Sequence, residues 1–527
     1  MKIALISPNS LVSNPSIRAL SAILKNDGHD VTMIHLPKEN GGELIEPDAF
    51  ITPYPAEVVD DVISIIKDSD IIGITVMSQF LAVVVDLTKE IRKKTKSIVI
   101  WGGVHPTMEP EFCLDYVDCV CIGEGEEALQ ELVRLMESNK SYYSTRNFWF
   151  RKGNQIIKNP LRPYIQDLDK LPFQDYSFED HYVLWNNKVQ PMIKEVIGVT
   201  YNTNMTRGCP YRCAFCCNEV FNNKYEGQNI FRKRSVDSLI NELKLIKKSN
   251  NFIGWTRVKL VDDLFPALPL PTLREFAEKY KKEIDLPLSV CGWTSQTVTD
   301  AKVRTLIDAG MDVTRMGIQH GSERIRKLLS RVGTNEKILE SARVFNRYTD
   351  RLQMTYDLIT DNPYETRVDT LESLKLFSEI PRPYHISIFS LIPFPGTPVY
   401  EWAVRDKYLS GDWLTDLKSG TFGGTALSHE YKFTYQSNYY NNLYLIFQTY
   451  QLPKFLKKFM INHLFIKCKI TYLPYLFLKA GIGIVRYTKL IKNPGNFKGF
   501  LQRGFQALKR GDFERIFKSL FRFKRSW

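Results

Sequence analysis

Arg207-Gly208-Cys209-Pro210-Tyr211-Arg212-Cys213-Ala214-Phe215-Cys216-Cys217 sets Cys209, Cys213 and Cys216 in a Cys-x-x-x-Cys-x-x-Cys spacing within one short loop. Thiolates so spaced suit an iron–sulfur cluster. A cubane has four irons, and three protein thiolates leave one iron open to a ligand that is not protein. The stretch therefore marks a redox centre with a free coordination position. It follows an apparent strand over residues 199–205, which puts it where a parallel α/β sheet presents its carboxyl ends.

Other uses of the cysteines fit less well. A structural zinc site wants four ligands in tetrahedral array, commonly two Cys pairs or a Cys pair with a His pair, and no second pair is present. Cys217 could complete a set of four only by bending adjacent residues onto one ion. Disulfides are disfavoured by an odd total of nine cysteines, with Cys113, Cys119, Cys121, Cys291 and Cys468 scattered through apolar or mixed segments. Met1-Lys2-Ile3-Ala4-Leu5-Ile6 shows no secretory pattern, so a reducing cytoplasm is the expected compartment.

Downstream of the loop, a helix is expected within 235–249, and strand-like runs recur at 257–261, 288–291, 313–317, 355–359 and 385–391. Each is followed by polar or Gly/Pro residues, including Asp262-Asp263-Leu264-Phe265, Ile318-Gln319-His320-Gly321-Ser322, Asn362-Pro363-Tyr364-Glu365-Thr366 and Pro393-Phe394-Pro395-Gly396-Thr397-Pro398. Six strand–loop–helix units read as a partial parallel barrel with its active site at the strand ends. Upstream, strands at 2–7, 30–35, 71–76, 98–101 and 119–122 alternate with helical patterns at 17–26, 56–67, 81–94 and 126–137. That order predicts a doubly wound domain over 1–140. Its ligand should lie outside the strand ends, which carry Ser7-Pro8-Asn9, Met77-Ser78, Gly102-Gly103-Val104-His105-Pro106-Thr107 and Gly123-Glu124-Gly125-Glu126. Residues 141–198, marked by Asn159-Pro160, Arg162-Pro163 and Leu171-Pro172, read as a connector.

The cluster loop resembles that of the radical S-adenosylmethionine (SAM) superfamily. The later motifs, in their order, resemble the members of that superfamily that carry an N-terminal cobalamin-binding domain, as do Gly-Gly-x-His-Pro-Thr and Gly-Glu-Gly-Glu upstream and the 164–172 linker. The likeness runs to about residue 410. It implies an α/β protein with a Rossmann-like cobalamin-binding domain at 1–140, a connector at 141–198, a partial (β/α)6 TIM-like radical SAM barrel at 199–410 and a mainly helical basic region at 411–527. Cys209, Cys213 and Cys216 would ligate a 4Fe-4S cluster, SAM would chelate the open iron, and Phe215 would lie against its adenine. Asp262 and Gln319 would hydrogen-bond SAM or substrate, unless they cap following helices. Ser78, Gly102, Gly103, His105, Gly123, Gly125 and Glu126 would border the cobalamin. Glycines suit that border because a missing Cβ admits close backbone approach. The chain lacks the Asp-x-His-x-x-Gly motif by which other cobalamin proteins supply a histidine to cobalt, so His105 is not assigned as a cobalt ligand. A nucleotide-binding or empty Rossmann-like domain is the alternative. His320, a lone loop histidine, suits packing more than proton transfer.

The chain carries +13 overall, but its charge is uneven. Residues 451–527 hold 18 Lys and Arg against only Asp512 and Glu514, a net +16, and the remainder is −3. Phe513, Ile516, Phe517, Leu520 and Phe521 fall on one helical face with Arg515, Lys518 and Arg522 elsewhere, a cationic amphipathic pattern. It suits packing on the body of the enzyme or peripheral contact with an anionic membrane at its inner face. The apolar stretch 470–485 contains Pro474 and Lys479 and is short for a span. RNA binding through interleaved aromatic and basic residues is the lesser reading. The expected function is cobalamin-dependent methylation of an unactivated carbon in a small-molecule or lipid substrate, with flavodoxin or ferredoxin as electron donor. Cyclisation, oxidation or rearrangement by the same cofactors is the second possibility, and a metal-binding RNA- or membrane-associated protein without turnover the third.

Overall fold

A computed structural model describes residues 1–8, 12–40, 43–44, 50–248 and 254–418, with Tyr444, Phe447 and Ile461. The chain divides into two units, Met1–Phe433 and Thr434–Trp527, and both large sheets belong to the first. The helix expected around 513–521 and the apolar stretch 470–485 lie outside the described residues, as does Cys468.

The N-terminal strands are β1 (Lys2–Ser7), β2 (Asp30–His35), β3 (Ile71–Thr75), β4 (Ile98–Gly102) and β5 (Cys119–Cys121). They pair in parallel in the order β2-β1-β3-β4-β5. The near-continuous apolar character of β1 and β3 follows, because helices cover both faces of a parallel sheet. Val58, Val62, Leu81, Val84 and Ile91 pack on one face, and Ile17, Leu24, Leu129 and Leu132 on the other.

Residues 141–198 do more than connect. Two hairpins, β6 (Phe148–Lys152) with β7 (Gln155–Lys158) and β8 (His181–Trp185) with β9 (Lys188–Pro191), add to opposite edges and make a nine-stranded sheet ordered β9-β8-β2-β1-β3-β4-β5-β6-β7. The fold unit thus extends past residue 140. Beyond the barrel, the helix Trp413–Lys418 returns to this domain, where Trp413 and Leu417 join its core and the Trp413 indole donates to the Ser78 carbonyl at 3.0 Å.

The second sheet contains β10 (Thr200–Thr203), β11 (Arg257–Leu260), β12 (Leu288–Trp293), β13 (Met311–Gln319), β14 (Gln353–Thr360) and β15 (His385–Ser390). All neighbours are parallel and follow chain order without closing, which is the partial barrel expected from sequence. Met316, Ile318, Tyr356, Leu358 and Ile386 are buried toward the helices. Alternation then places Lys259, Ser289, Cys291, Arg315, Gly317, Asp357, Ser387 and Phe389 on the concave face.

Candidate active site

Gly208 turns the chain into the cysteine loop at a φ of +85°, and an added Cβ would overlap the Ile230 carbonyl. Only glycine meets both demands. The buried Asn222 amide then donates to the carbonyls of Cys209 (3.0 Å) and Tyr211 (3.2 Å). Ala214 donates to the Leu329 carbonyl and accepts from the Val399 N–H, so the first turn of the helix Pro398–Arg405 holds the loop from the far side of the barrel.

Cys213 is buried, and Cys209 and Cys216 are half-buried. Each sulfur has an N–H donor: the Tyr211 backbone for Cys209, Arg331 Nη1 at 3.8 Å for Cys213, and Asn218 Nδ2 at 3.7 Å for Cys216. Burial pushes the Cys209 thiol up to about 12 and also raises Cys213. A hydrogen bond from the Cys217 thiol instead brings Cys216 down to about 7. Among the described residues no three His, Cys, Asp or Glu side chains gather tightly enough to hold one metal ion. Ligands to a cubane each meet a different iron, and donors aimed at sulfur stabilise the anionic thiolates. The residues present fit that group.

A cavity of about 470 Å³ runs from the N-terminal sheet to the barrel. Its N-terminal wall is apolar, with Ile3, Leu5, Ile71, Ile100 and Leu129 beside Gly73, Gly102, Gly103, Gly123, Gly125 and Glu126. Its barrel wall holds Thr206, Arg207, Asn218, Arg234, Asp262 and Asp263. An apolar slot with glycines at its lip suits insertion of a large, partly apolar cofactor, so this wall fits cobalamin.

The sequence-derived site residues divide between these places. Gly102, Gly103, Gly123, Gly125, Glu126 and Asp262 line the cavity, while Ser78, His105, Phe215 and Gln319 do not. Ser78 and His105 are buried with Oγ 3.0 Å from Nδ1, His105 Nε2 meets no hydrogen-bond partner among the described residues, and burial lowers the His105 imidazole to about 4. Phe215 packs on Ala214, Ile325, Leu329, Leu391 and Val399. Gln319 stands at a φ of +71° with its amide over Gly317. Gly123 needs its missing Cβ because the Tyr225 hydroxyl occupies that space, a protein neighbour where the sequence reading placed a cofactor. Asp262 Oδ1 accepts from the Met205 N–H at 2.9 Å and from the Thr206 N–H and hydroxyl, which fixes the turn into the loop. Burial raises its carboxyl to about 6. His320 is engaged on both ring nitrogens, with Nδ1 accepting from the Ser322 N–H and Nε2 3.2 Å from Glu365.

Five residues outside that reading, Glu124, Arg207, Arg232, Asp263 and Arg331, complete the site. Glu124 holds Arg232 at 2.9 Å and Arg207 at 3.2 Å, and Arg207 also pairs with the buried Glu126 at 2.7 Å. The Gly-Glu-Gly-Glu turn thereby grips the arginine at the entrance to the cysteine loop. Asp263 accepts from Asn218 and is raised by burial beside Cys209 and Cys216. Arg331 spans from Cys213 to the Gly317 carbonyl at 2.6 Å.

Comparison with known proteins agrees with this division. Residues 1–133 match the B12 binding domain and residues 203–377 match the Radical SAM superfamily. The chain is a radical SAM enzyme with a B12-binding domain. An uncharacterized methyltransferase of Pyrococcus horikoshii is 25% identical over 369 residues, 66% of this chain and 73% of that protein. An anaerobic magnesium-protoporphyrin IX monomethyl ester cyclase of Cereibacter sphaeroides is 25% identical over 321 residues, 58% of this chain but only 48% of the cyclase. The radical SAM methyltransferase TsrM of Kitasatospora setae, solved with tryptophan and a SAM analogue, superposes with a TM-score of 0.58 at 15% identity, covering 77% of this chain and 76% of TsrM. That likeness is one of fold. In this radical SAM enzyme the cavity is the space shared by the B12-binding and radical SAM domains.

Proposed function

We propose that this chain uses a 4Fe-4S cluster on Cys209, Cys213 and Cys216 to cleave SAM, and that it transfers a methyl group from cobalamin to an unactivated carbon of its substrate. The observation that carries this reading is the single cavity bounded by Gly102, Gly103 and Gly123 at one end and by Arg207, Asp262 and Asp263 at the other. When bound, the cluster and SAM supply one-electron chemistry and cobalamin supplies the methyl group. The protein's share is placement and exclusion of water. Tyr211, Arg331 and Asn218 direct N–H groups at the three sulfurs, and Asp262 sets the turn that delivers the loop. The apolar wall keeps water from the shared space. The methyltransferase among the relatives supports methyl transfer.

A second reading, cyclisation or oxidation without methyl transfer, is favoured by the cyclase relative. Anaerobic protein supplied with cobalamin, SAM and a strong reductant separates the two. 5′-Deoxyadenosine together with S-adenosylhomocysteine, both abolished in the triple Cys209/Cys213/Cys216→Ala variant, is the expected result. Deoxyadenosine alone would replace methylation with the second reading, and neither product from cluster-loaded protein would refute SAM cleavage as an intrinsic activity.

A further inference from the structure

The concave face of the barrel carries charge that the cluster loop and the cavity do not use. Arg315 sits on β13 and gives Nη2 to Asp357 Oδ1 of β14 at 2.6 Å. Lys259 of β11 shares this face, half-buried, and its ammonium has no hydrogen bond or ion pair within contact distance among the described residues. These groups are neighbours across the strands. Lys259, Arg315, Asp357 and Asp262 all act electrostatically on the Cys291 thiol, and Lys259, Arg315 and Arg331 all act on Asp357. Three cations therefore face two carboxylates. Asp357 is engaged by Arg315, and Asp262 Oδ1 is engaged by Met205 and Thr206. The face retains positive charge, centred on a lysine that makes no hydrogen bond or ion pair among the described residues.

Lys259 is half-buried, and an anion held against it would replace the hydration that the face removes. The covered face of the same strands is apolar, with Val258 and Leu260 buried on either side of Lys259. A neutral side chain at position 259 would serve the fold equally well. Ser387, aligned with Asp357 in register, adds a hydroxyl to the same surface, and Phe389 lies with its ring 5.7 Å from the Arg315 guanidinium. Arg331 continues the positive row from Asp357 toward Cys213, so an anion held here would sit below the cluster loop.

We propose that the concave face of the six-stranded sheet binds an anionic group of the substrate, a carboxylate or a phosphate, through Lys259 and Arg315. This rests on the reading of the barrel as the catalytic domain and adds to it a substrate class. The cation pair fixes one end of the substrate, and its remainder extends toward the strand ends where the cluster loop and the cavity meet. Lys259 is a positioning group for the substrate in this arrangement. It takes no part in proton transfer.

Titration calorimetry on the cluster-loaded full chain tests the proposal, with inorganic phosphate, succinate and neutral succinamide as probes. One of the anions should bind and succinamide should not, and the stronger anion identifies phosphate or carboxylate. Its dissociation constant should rise about ten- to a hundredfold in Lys259→Gln and in Arg315→Gln, the loss of one charge-assisted hydrogen bond. Lys259→Arg should recover most of the affinity, and Lys140→Gln on the surface should match wild type. Equal anion binding by wild type and both Gln variants, no anion binding by wild type, or succinamide binding as tightly as succinate would overturn the proposal. So would a parallel loss of SAM affinity in Lys259→Gln, which would assign the lysine to the SAM carboxylate. Deoxyadenosine formation by wild type, measured separately, distinguishes failure of this site from failure of the radical SAM reading.

Discussion

The two walls of the shared cavity are made of opposite materials. The B12-binding side is shaped by absence, with apolar strand residues and glycines leaving room, while the radical SAM side is set by charge, with Arg207, Arg234, Asp262 and Asp263 facing inward. The difference shows how each wall keeps its form. An apolar slot is held by sheet and helix packing on its own domain. The charged wall depends on partners from elsewhere, because a buried charge must be paired, and Arg207 finds Glu124 and Glu126 on the opposite domain.

If the charged wall is held across the domains, removing one partner should cost more than any change on the apolar side. Glu126→Ala should destabilise the chain by about 2 to 3 kcal/mol in chemical denaturation, because Arg207 keeps only its longer contact with Glu124. A loss no larger than that of a surface carboxylate would mean that the clamp holds nothing. His105 gives a smaller, pH-dependent difference inside the B12-binding domain. Its folded value is lowered by burial to about 4 from an ordinary 6.5. The neutral ring therefore contributes stability that is fully present above pH 6.5 and is lost as pH falls toward 4. Between pH 7.5 and 5, wild type should lose about 2 kcal/mol more than His105→Gln does. Parallel losses would show that the ring is not buried neutral. The apolar wall yields the smallest effect and the most selective one. Gly73→Leu projects a side chain toward Leu5 and the cavity. It should weaken cobalamin retention by about tenfold, read from visible absorbance after gel filtration, and leave iron content unchanged. Loss of both cofactors would mean that the walls are not independent.

Much of this architecture is legible in the chain. The parallel strands of both domains fall where apolar runs meet turn residues, and β1 and β2 run as expected from residue 2 to 7 and from 30 to 35. The hairpins inside 141–198 are the instructive omission. Their strands are short and partly exposed, so alternation is weak, yet each turn carries a two-residue signal, Gly153-Asn154 and Asn186-Asn187, with positive φ at Gly153, Asn186 and Asn187. Such turns match the twist of a β-hairpin. The cysteine ligands are equally legible, because their meaning lies in local spacing. Glu124 with Arg232 and Arg331 with Cys213 are separated by 108 and 118 residues. No local pattern encodes such pairs, and the same distance in sequence hides why Gly123 must be glycine, since Tyr225 fills the space beside it only after the two domains meet.

Metal analysis of anaerobically purified, reconstituted protein tests the central claim most directly, that one chain holds both cofactors across one cavity. About four irons and one cobalt per chain are expected, with iron lost and cobalt retained in the triple cysteine variant. Zinc in place of iron, or iron without cobalt in the presence of excess cobalamin, would contradict it.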